Sequence, residues 1–199
     1  MPKTSFKHNS LRVIGGAFKG RKLKMAPLEI TRSSKNILKE SFFNTLGNTI
    51  IGTNFIEFFA GSGSIGIEAL SRGAKYAFFF ENHKESYKVL EENLGSICQD
   101  CAYKTIFGDT FKTYKDSLKS LKSETIGYLD PPFDIRENMQ GIYKRCFDLI
   151  EDLDYQIFSN VILEHISSLE IPQKIGNFTL HKTKKFGKSA LSYYQNLYL

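Results

Sequence analysis

The segment with the clearest chemical potential is residues 128–133, where an apolar stretch ends in Asp130-Pro131-Pro132-Phe133. Two consecutive prolines fix the backbone φ angle and remove two N–H donors, so this turn presents acceptors only: backbone carbonyl groups and the Asp130 carboxylate. An amino group on a planar base has two N–H donors to match them. Hydrogen bonds to Asp130 and to the Pro131 carbonyl would pull the nitrogen lone pair out of conjugation, and Phe133 would stack on the ring. The turn therefore predicts transfer of a group to an exocyclic amine.

A glycine-rich turn lies upstream of that segment. The predicted strand ending at Phe59 runs directly into Ala60-Gly61-Ser62-Gly63-Ser64-Ile65-Gly66 and then into a helix. Glycines let the backbone approach a ligand closely, because no side chain blocks the approach. Glu81 lies twenty residues beyond Gly61, at the end of the next predicted strand, where a carboxylate can accept hydrogen bonds from both hydroxyls of a ribose. The combination predicts an adenosine-type nucleoside site.

The elements that must position these residues follow a pattern typical of an α/β sheet. From Phe55 onward, short apolar runs alternate with amphipathic stretches, as expected for strands joined by crossover helices. We predict strands at residues 54–59, 76–81, 103–107, 125–130 and 157–164. The helix after the second strand would take Asn82 as its N-cap and pack on the sheet through Tyr87, Leu90, Leu94 and Ile97. Near the C-terminus, residues 178–184 and 190–199 predict an antiparallel hairpin that closes the sheet.

Positive charge is concentrated at both ends of the chain. Of the 199 residues, the first 40 include ten Lys/Arg and two Asp/Glu, and residues 171–199 include five Lys/Arg and no Asp/Glu, although the net charge is only +6. Basic flanks on an acidic body indicate a polyanionic partner. The glycine-interrupted segment 11–24 is too short to bury much surface by itself. We therefore predict a basic N-terminal arm that contacts nucleic acid.

A helix is predicted between the arm and the first strand, at residues 33–46, with Gly47 as its C-terminal cap. Its inward-facing side chains would be Ile37, Leu38, Phe42, Phe43 and Leu46. The length of the chain suits one domain, 1–199, made of the arm at 1–32 and a catalytic core at 33–199.

Taken together, these features resemble the RsmD type of bacterial 16S rRNA (guanine-N2) methyltransferases over nearly the whole chain. The resemblance is carried by four blocks: Arg12-Val13-Ile14-Gly15-Gly16 with Lys19-Gly20-Arg21-Lys22-Leu23; Thr31-Arg32 leading into Lys39-Glu40-Ser41-Phe42-Phe43-Asn44; residues 58–74 around the glycine turn; and Asp130-Pro131-Pro132-Phe133. Two positions depart from the family pattern. Glu57 stands where the family usually has Asp, and Ser33 follows Thr31-Arg32 where Pro is usual.

The resemblance implies a Rossmann-like class I S-adenosylmethionine-dependent methyltransferase sheet and methyl transfer to the N2 amino group of one guanine in small-subunit (16S) rRNA. The implied cofactor-binding residues are Glu57, Ala60, Gly61, Ser62, Gly63, Gly66, Glu81, Asn82 and Asp109. Asp109 would contact the adenine amino group, and it is equally a candidate N-cap of the next helix. The catalytic residues would be Asp130, Pro131, Pro132 and Phe133. The RNA-contacting residues would be Arg12, Lys19, Arg21, Lys22 and Arg32, with further phosphate contacts from Lys182, Lys184, Lys185 and Lys188.

We expect a soluble, cytoplasmic monomer that acts on 16S rRNA, free or within a partly assembled small subunit. No apolar run in the sequence approaches the ~20 residues that span a bilayer. Cys98 and Cys101 have a metal-like spacing, but no second Cys or His pair stands in register with them, so we expect no metal.

Three other functions stay open at this point. A nicotinamide-dependent oxidoreductase could use the same glycines and Glu81, but residues 130–133 would then be unexplained. A noncatalytic RNA-binding module needs only the basic flanks and leaves the glycine turn without a purpose. An adenine-N6 methyltransferase of DNA or RNA uses a similar acidic Pro-Pro-aromatic turn, although the DNA enzymes generally have an extra target-recognition region for which this chain has no room.

Overall fold

The computed structural model describes residues 11–26, 33–132 and 141–196, and its centre is an eight-stranded mixed sheet. The strands are β1 Asn54–Glu57, β2 Tyr76–Glu81, β3 Tyr103–Phe107, β4 Thr125–Leu129, β5 Phe158–Ile166, β6 Lys174–Ile175, β7 Phe178–Phe186 and β8 Ser189–Asn196. The helices are α1 Ser33–Leu46, α2 Ser64–Ser71, α3 Lys84–Ile97, α4 Thr110–Leu118 and α5 Ile142–Asp152, with a 3₁₀ turn at Gly47–Ile50. No helix in the described ranges is long and apolar enough to cross a membrane.

The order of strands in the sheet is β3-β2-β1-β4-β5-β8-β7-β6. Strands β1 to β5 pair in parallel, and β8, β7 and β6 continue the sheet in antiparallel pairing. After β1 the chain builds outward through β2 and β3, and it then returns to place β4 on the other side of β1. The strand order thus reverses between β1 and β4, and in open α/β sheets ligands bind at the carboxyl ends of the strands at such a point.

Helices cover both faces of the sheet, because the strands are apolar on both sides. On one face, α1, α2 and α3 pack against side chains such as Phe55 and Phe79. On the other face, α4 and α5 pack against Phe78, Phe80 and Phe158. Alternation along β2 therefore sends neighbouring phenylalanines into different layers of the core.

The C-terminal hairpin and most element boundaries agree with the sequence predictions. The structure confirms the bounds of α1, β2 and β3, while β1 and β4 end one or two residues earlier because the chain leaves the ladder to enter the functional turns. The hairpin strand β7 extends further, to Phe186, and the short β6 was not predicted. Leu199, the predicted end of the last strand, lies outside the described residues.

Two local predictions are wrong. Ile37 is 60% exposed, whereas Leu38, Phe42, Phe43 and Leu46 are buried. The buried side of α1 is centred on positions 38, 42 and 46, and Ile37 lies about 100° around the helix from that line. The N-cap of α3 is His83, whose Nδ1 accepts a hydrogen bond from the amide nitrogen of Ser86, so Asn82 lies one residue before the cap.

The N-terminal arm folds back on itself and docks on α2 and α3. Backbone hydrogen bonds join Val13 to Arg21 and Gly20, and Leu23 to Leu11. Val13 and Leu23 are buried against the α2 and α3 side chains, so the arm contributes to the core as well as carrying charge.

Candidate active site

The two turns identified in the sequence lie side by side at the carboxyl edge of the sheet. The glycine turn follows β1 and residues 130–132 follow β4, and these two strands are paired neighbours. Beyond the ladder, the amide nitrogen of Phe58 donates to the carbonyl oxygen of Tyr128 at 2.9 Å, which holds the two exits together. A ligand on the glycine turn and a second ligand at Asp130 would therefore be neighbours.

The backbone conformation of the glycine turn depends on glycine at position 63. Gly63 has a φ of 78° and stands at the N-cap position of α2, and its amide nitrogen donates to the Ala60 carbonyl oxygen at 2.7 Å. A positive φ is costly for residues with a Cβ atom, so glycine is the residue that permits this turn. Ser62 is buried beneath it, and its carbonyl oxygen accepts a hydrogen bond from the Asn93 side chain.

Glu57, at the end of β1, holds the turn from below. Its buried carboxylate accepts hydrogen bonds from the amide nitrogens of Ile65 at 3.3 Å and Gly66 at 2.9 Å. These amides belong to the first turn of α2, which has no partner for them within the helix. The negative charge also lies at the positive end of the helix dipole. Glu57 thus positions the glycine turn, and direct contact with a cofactor stays a prediction.

Glu81, the last residue of β2, reaches the same turn. One carboxylate oxygen accepts from the amide nitrogen of Gly61 and the other from the amide nitrogen of His83, both at 2.7 Å. Burial raises the pKa of the Glu81 carboxyl, although these backbone hydrogen bonds oppose the increase. Each oxygen retains capacity for a further donor, so the carboxylate can still accept ribose hydroxyl groups.

Asp109 follows β3 and forms the N-cap of α4. One carboxylate oxygen accepts from the amide nitrogen of Phe111 at 3.1 Å, and the other accepts from Nη2 of Arg145 at 3.2 Å. The Arg145 guanidinium lies 3.9 Å from the centre of the Phe111 ring. The N-cap role is thus observed, the adenine contact stays a prediction, and Asn82 is exposed beside the same edge.

The acceptor turn is flanked by a buried pair that the sequence analysis missed. Asp130 is half-buried and Pro131 is buried, while Phe133 lies outside the described residues. The Tyr128 hydroxyl donates to the buried carboxylate of Glu164 at 2.7 Å. Burial raises the pKa of Tyr128 well above its usual value, and the carboxylates of Glu164 and Asp130 raise it further. The signal was present in the sequence, because Glu164 ends a predicted strand as Glu81 and Asp130 do.

A second missed group fixes the arm to the catalytic core. The fully buried carboxylate of Glu68 accepts from the amide nitrogens of Ile14 at 2.8 Å and Gly15 at 2.7 Å and from Nε of Arg72 at 2.9 Å, and Nζ of Lys39 is 3.4 Å away. Ser71 adds further hydrogen bonds to the arm, and a Cβ atom at Gly16 would overlap the Ser71 carbonyl group. Close approach to α2 therefore explains the paired glycines of the first sequence block.

The basic residues predicted to contact RNA remain at the surface. Arg12, Lys19, Arg21 and Lys22 are exposed on the docked arm, and Nη2 of Arg21 donates to the Ser96 carbonyl oxygen at 2.7 Å. Arg32 lies outside the described residues. In the part of the chain that the structure describes, no cluster of three or more His, Cys, Asp or Glu residues could hold a metal ion.

Comparison with known proteins agrees with this architecture. A family model described as conserved hypothetical protein 95 matches residues 11–195. The chain is 31% identical to ribosomal RNA small subunit methyltransferase D of Haemophilus influenzae, covering 94% of this chain and 94% of that protein. It is 28% identical to the protein of the same name from Escherichia coli strain K12, covering 93% of this chain and 89% of that protein.

The solved structures give the same result. The Escherichia coli structure of yhhF, provisionally designated a methyltransferase, has a TM-score of 0.75 and 27% identity over 94% of this chain and 98% of that chain. The methyltransferase fold and the resemblance predicted from the four sequence blocks are therefore confirmed. Since the family model spans almost the whole chain, the protein belongs to the RsmD family of methyltransferases, whose model is described as conserved hypothetical protein 95.

Proposed function

We propose that the protein transfers a methyl group from S-adenosylmethionine to the exocyclic N2 of a specific guanine in 16S rRNA. The observation that carries this proposal is the pairing of β1 with β4, which brings the glycine turn and the Asp130 turn to one edge of the sheet. The first turn suits a nucleoside and the second suits an amine. The names of the curated relatives favour ribosomal RNA of the small subunit as the substrate.

The residues at the glycine turn fit the adenosyl group of the cofactor. Glu81 can accept the ribose hydroxyls while it keeps its bonds to Gly61 and His83, and the glycines leave room beside the backbone. When bound, S-adenosylmethionine supplies an electrophilic methyl group on a sulfonium centre. Asn82 and Asp109 lie at the same edge, where we assign them to the adenosine moiety.

Asp130 performs the main positioning of the acceptor amine. Its carboxylate and the Pro131 carbonyl accept the two N–H groups, which orients the nitrogen and favours its pyramidal form. The hydrogen bond to Asp130 strengthens as positive charge builds on the nitrogen, so it stabilises the transition state more than the bound substrate. The nitrogen becomes acidic only as it is methylated, and Asp130 or water then takes the proton.

A target guanine must leave its stack to reach this edge, which costs a few kcal/mol. The exposed cations of the arm, Arg12, Lys19, Arg21 and Lys22, would hold the surrounding phosphates. We place the reaction in the cytoplasm, with a monomer acting on free 16S rRNA or on a partly assembled small subunit. The division into an arm at 1–32 and a core at 33–199 is part of the same proposal.

The decisive experiment maps methylated nucleosides by mass spectrometry in 16S rRNA from cells with and without the protein. We expect one N2-methylguanosine to disappear with the protein and to return when the purified enzyme and S-adenosylmethionine are added to the unmodified RNA. Loss of an N6-methyladenosine instead would favour the adenine alternative. An unchanged methylation map would refute the proposal.

A further inference from the structure

An open basic groove lies between α1 and β7, on the face of the sheet that α1 covers. It has a volume of about 570 Å³ and is lined by Ile37, Glu40, Ser41, Asn44, Thr45, Lys182 and Lys184. Exposure of Ile37 is explained by this position, because it forms part of the groove wall. The groove thus combines two cations with hydroxyl and amide groups and one apolar side chain.

The two lysines are held in place by neighbouring side chains. Nζ of Lys184 donates to Oγ1 of Thr45 at 2.7 Å, and Nζ of Lys182 lies 5.4 Å from the centre of the Tyr193 ring. Both lysines are half-buried, so their stems are covered while they line the groove. Lys185 has the opposite parity along β7, and Lys188 lies in the hairpin turn, so neither belongs to the groove.

The register of the sheet places this groove level with the acceptor turn. Leu129 pairs with Leu163, and in the next row Glu164 pairs with Leu191, which pairs with Lys184. Asp130 follows Leu129 and is therefore in the same row as Lys184. Three strand spacings of ~4.8 Å separate β4 from β7, so the two residues are about 14 Å apart. A polymer whose base is held at Asp130 can reach the groove within a few nucleotides.

Charge complementarity selects the occupant. Residues 171–199 include five Lys/Arg and no Asp/Glu, and Lys182 and Lys184 supply cationic donors at the groove. Hydroxyl and amide groups of Ser41, Asn44 and Thr45 can bind the ribose 2′-OH, and the Glu40 carboxylate can accept from it. A single strand fits this arrangement better than a duplex, because a base turned into the Asp130 site is already unstacked.

We propose that the groove between α1 and β7 binds the ribose-phosphate backbone of single-stranded RNA a few nucleotides from the target guanine. The inference rests on the proposed function, since it takes the Asp130 turn as the acceptor site. It divides the RNA surface in two: the arm contacts one flank of the target, and the groove contacts the other.

The test compares two charge-neutralised double variants from the same hairpin. In Lys182→Gln/Lys184→Gln the groove loses both cations, and in the control Lys185→Gln/Lys188→Gln the same charge is lost outside it. RNA binding is measured against salt with 16S rRNA fragments, and circular dichroism and thermal unfolding show that both variants fold. For single strands the salt slope falls by about 0.7 per phosphate contact, so the groove variant should lose a slope of ~1.4. Between 50 and 200 mM salt this changes its affinity relative to wild type by roughly sevenfold.

We further expect hydroxyl-radical footprinting to show lost protection of nucleotides beside the target guanine only in the groove variant. Equal slopes and footprints for the two doubles would overturn the inference. If the wild-type enzyme does not methylate the RNA, the proposed function fails. If it methylates the RNA and the groove variant binds as the control does, only the groove assignment fails.

Discussion

The carboxylate of Glu81 accepts a hydrogen bond of 2.7 Å from the amide nitrogen of Gly61, so the end of β2 is tied directly to the glycine turn that follows β1. One side chain thus shapes the turn and also presents the oxygen atoms that a ribose would need. The same residue therefore gives two separate predictions, one on affinity and one on pH.

Replacing Glu81 with Ala should weaken S-adenosylhomocysteine binding about tenfold or more. Charge-assisted hydrogen bonds contribute ~1.5 to 3 kcal/mol each, and the Gly61 amide also loses its partner. Calorimetry measures the dissociation constant, with Glu85→Gln as the control, because that carboxylate is exposed in the first turn of α3. An affinity equal to that of the control would place the ribose elsewhere.

Affinity for S-adenosylhomocysteine should fall as the solution becomes more acidic. Burial raises the pKa of the Glu81 carboxyl, so the group gains its proton at a higher pH than an exposed glutamate does. The neutral form is a weaker acceptor for ribose hydroxyls, and binding is therefore strongest above the raised pKa and declines as pH falls through it. Titrations from about pH 7.5 to pH 5 test this, and Glu81→Gln should be weaker and nearly flat across that range. A variant that keeps the wild-type pH profile would assign the dependence to another group.

Changing Asp130 to Ala should abolish methyl transfer while leaving the fold and most RNA affinity intact. Losing one preorganised partner of a developing charge typically costs ~10² to 10³ in turnover, and misalignment of the amine adds to that. Asp130→Asn keeps the shape and one acceptor oxygen, so it should retain more activity than the alanine variant. The measurement is single-turnover transfer of labelled methyl to 16S rRNA at saturating cofactor, with Asp148→Asn on the exposed surface of α5 as control. A near-wild-type rate for Asp130→Ala would leave this turn with a structural role only.

Changing Glu68 to Gln should destabilise the protein by about 3 to 5 kcal/mol, because it removes one side of a buried charge network. Burial already lowers the pKa of Lys39, and Glu68 is the main group that opposes this effect. Urea unfolding gives the change in free energy, and hydrogen exchange at Ile14 and Gly15 should accelerate as the arm loses its anchor. The control Glu92→Gln removes an exposed partner of Lys24 and should change stability by under about 1 kcal/mol. Equal stability of the two variants would mean that apolar contacts alone hold the arm.

Local patterns were enough to predict most of the fold. The bounds of α1, β2 and β3, the face of α3 and the C-terminal hairpin follow from the period of apolar residues and from turn residues, which act over a few positions. The Asn82 cap and the inward Ile37 were wrong because each depends on a rotation of one residue, which periodicity does not resolve. The family, and with it the methyltransferase fold, was equally readable from four short blocks.

The sequence by itself determined which residues carry the chemistry: the glycine turn, Glu81 and Asp130 each combine a distinctive residue type with the end of a strand. Only the tertiary structure decided how they are supported. Glu68 meets Ile14 across 54 positions, Tyr128 meets Glu164 across 36, and Lys184 meets Thr45 across 139. Such partners are set by strand order and helix packing, and no local signal encodes them. Burial then makes each of these contacts stronger than it would be in water, because a polar group removed from solvent must find its partner within the fold.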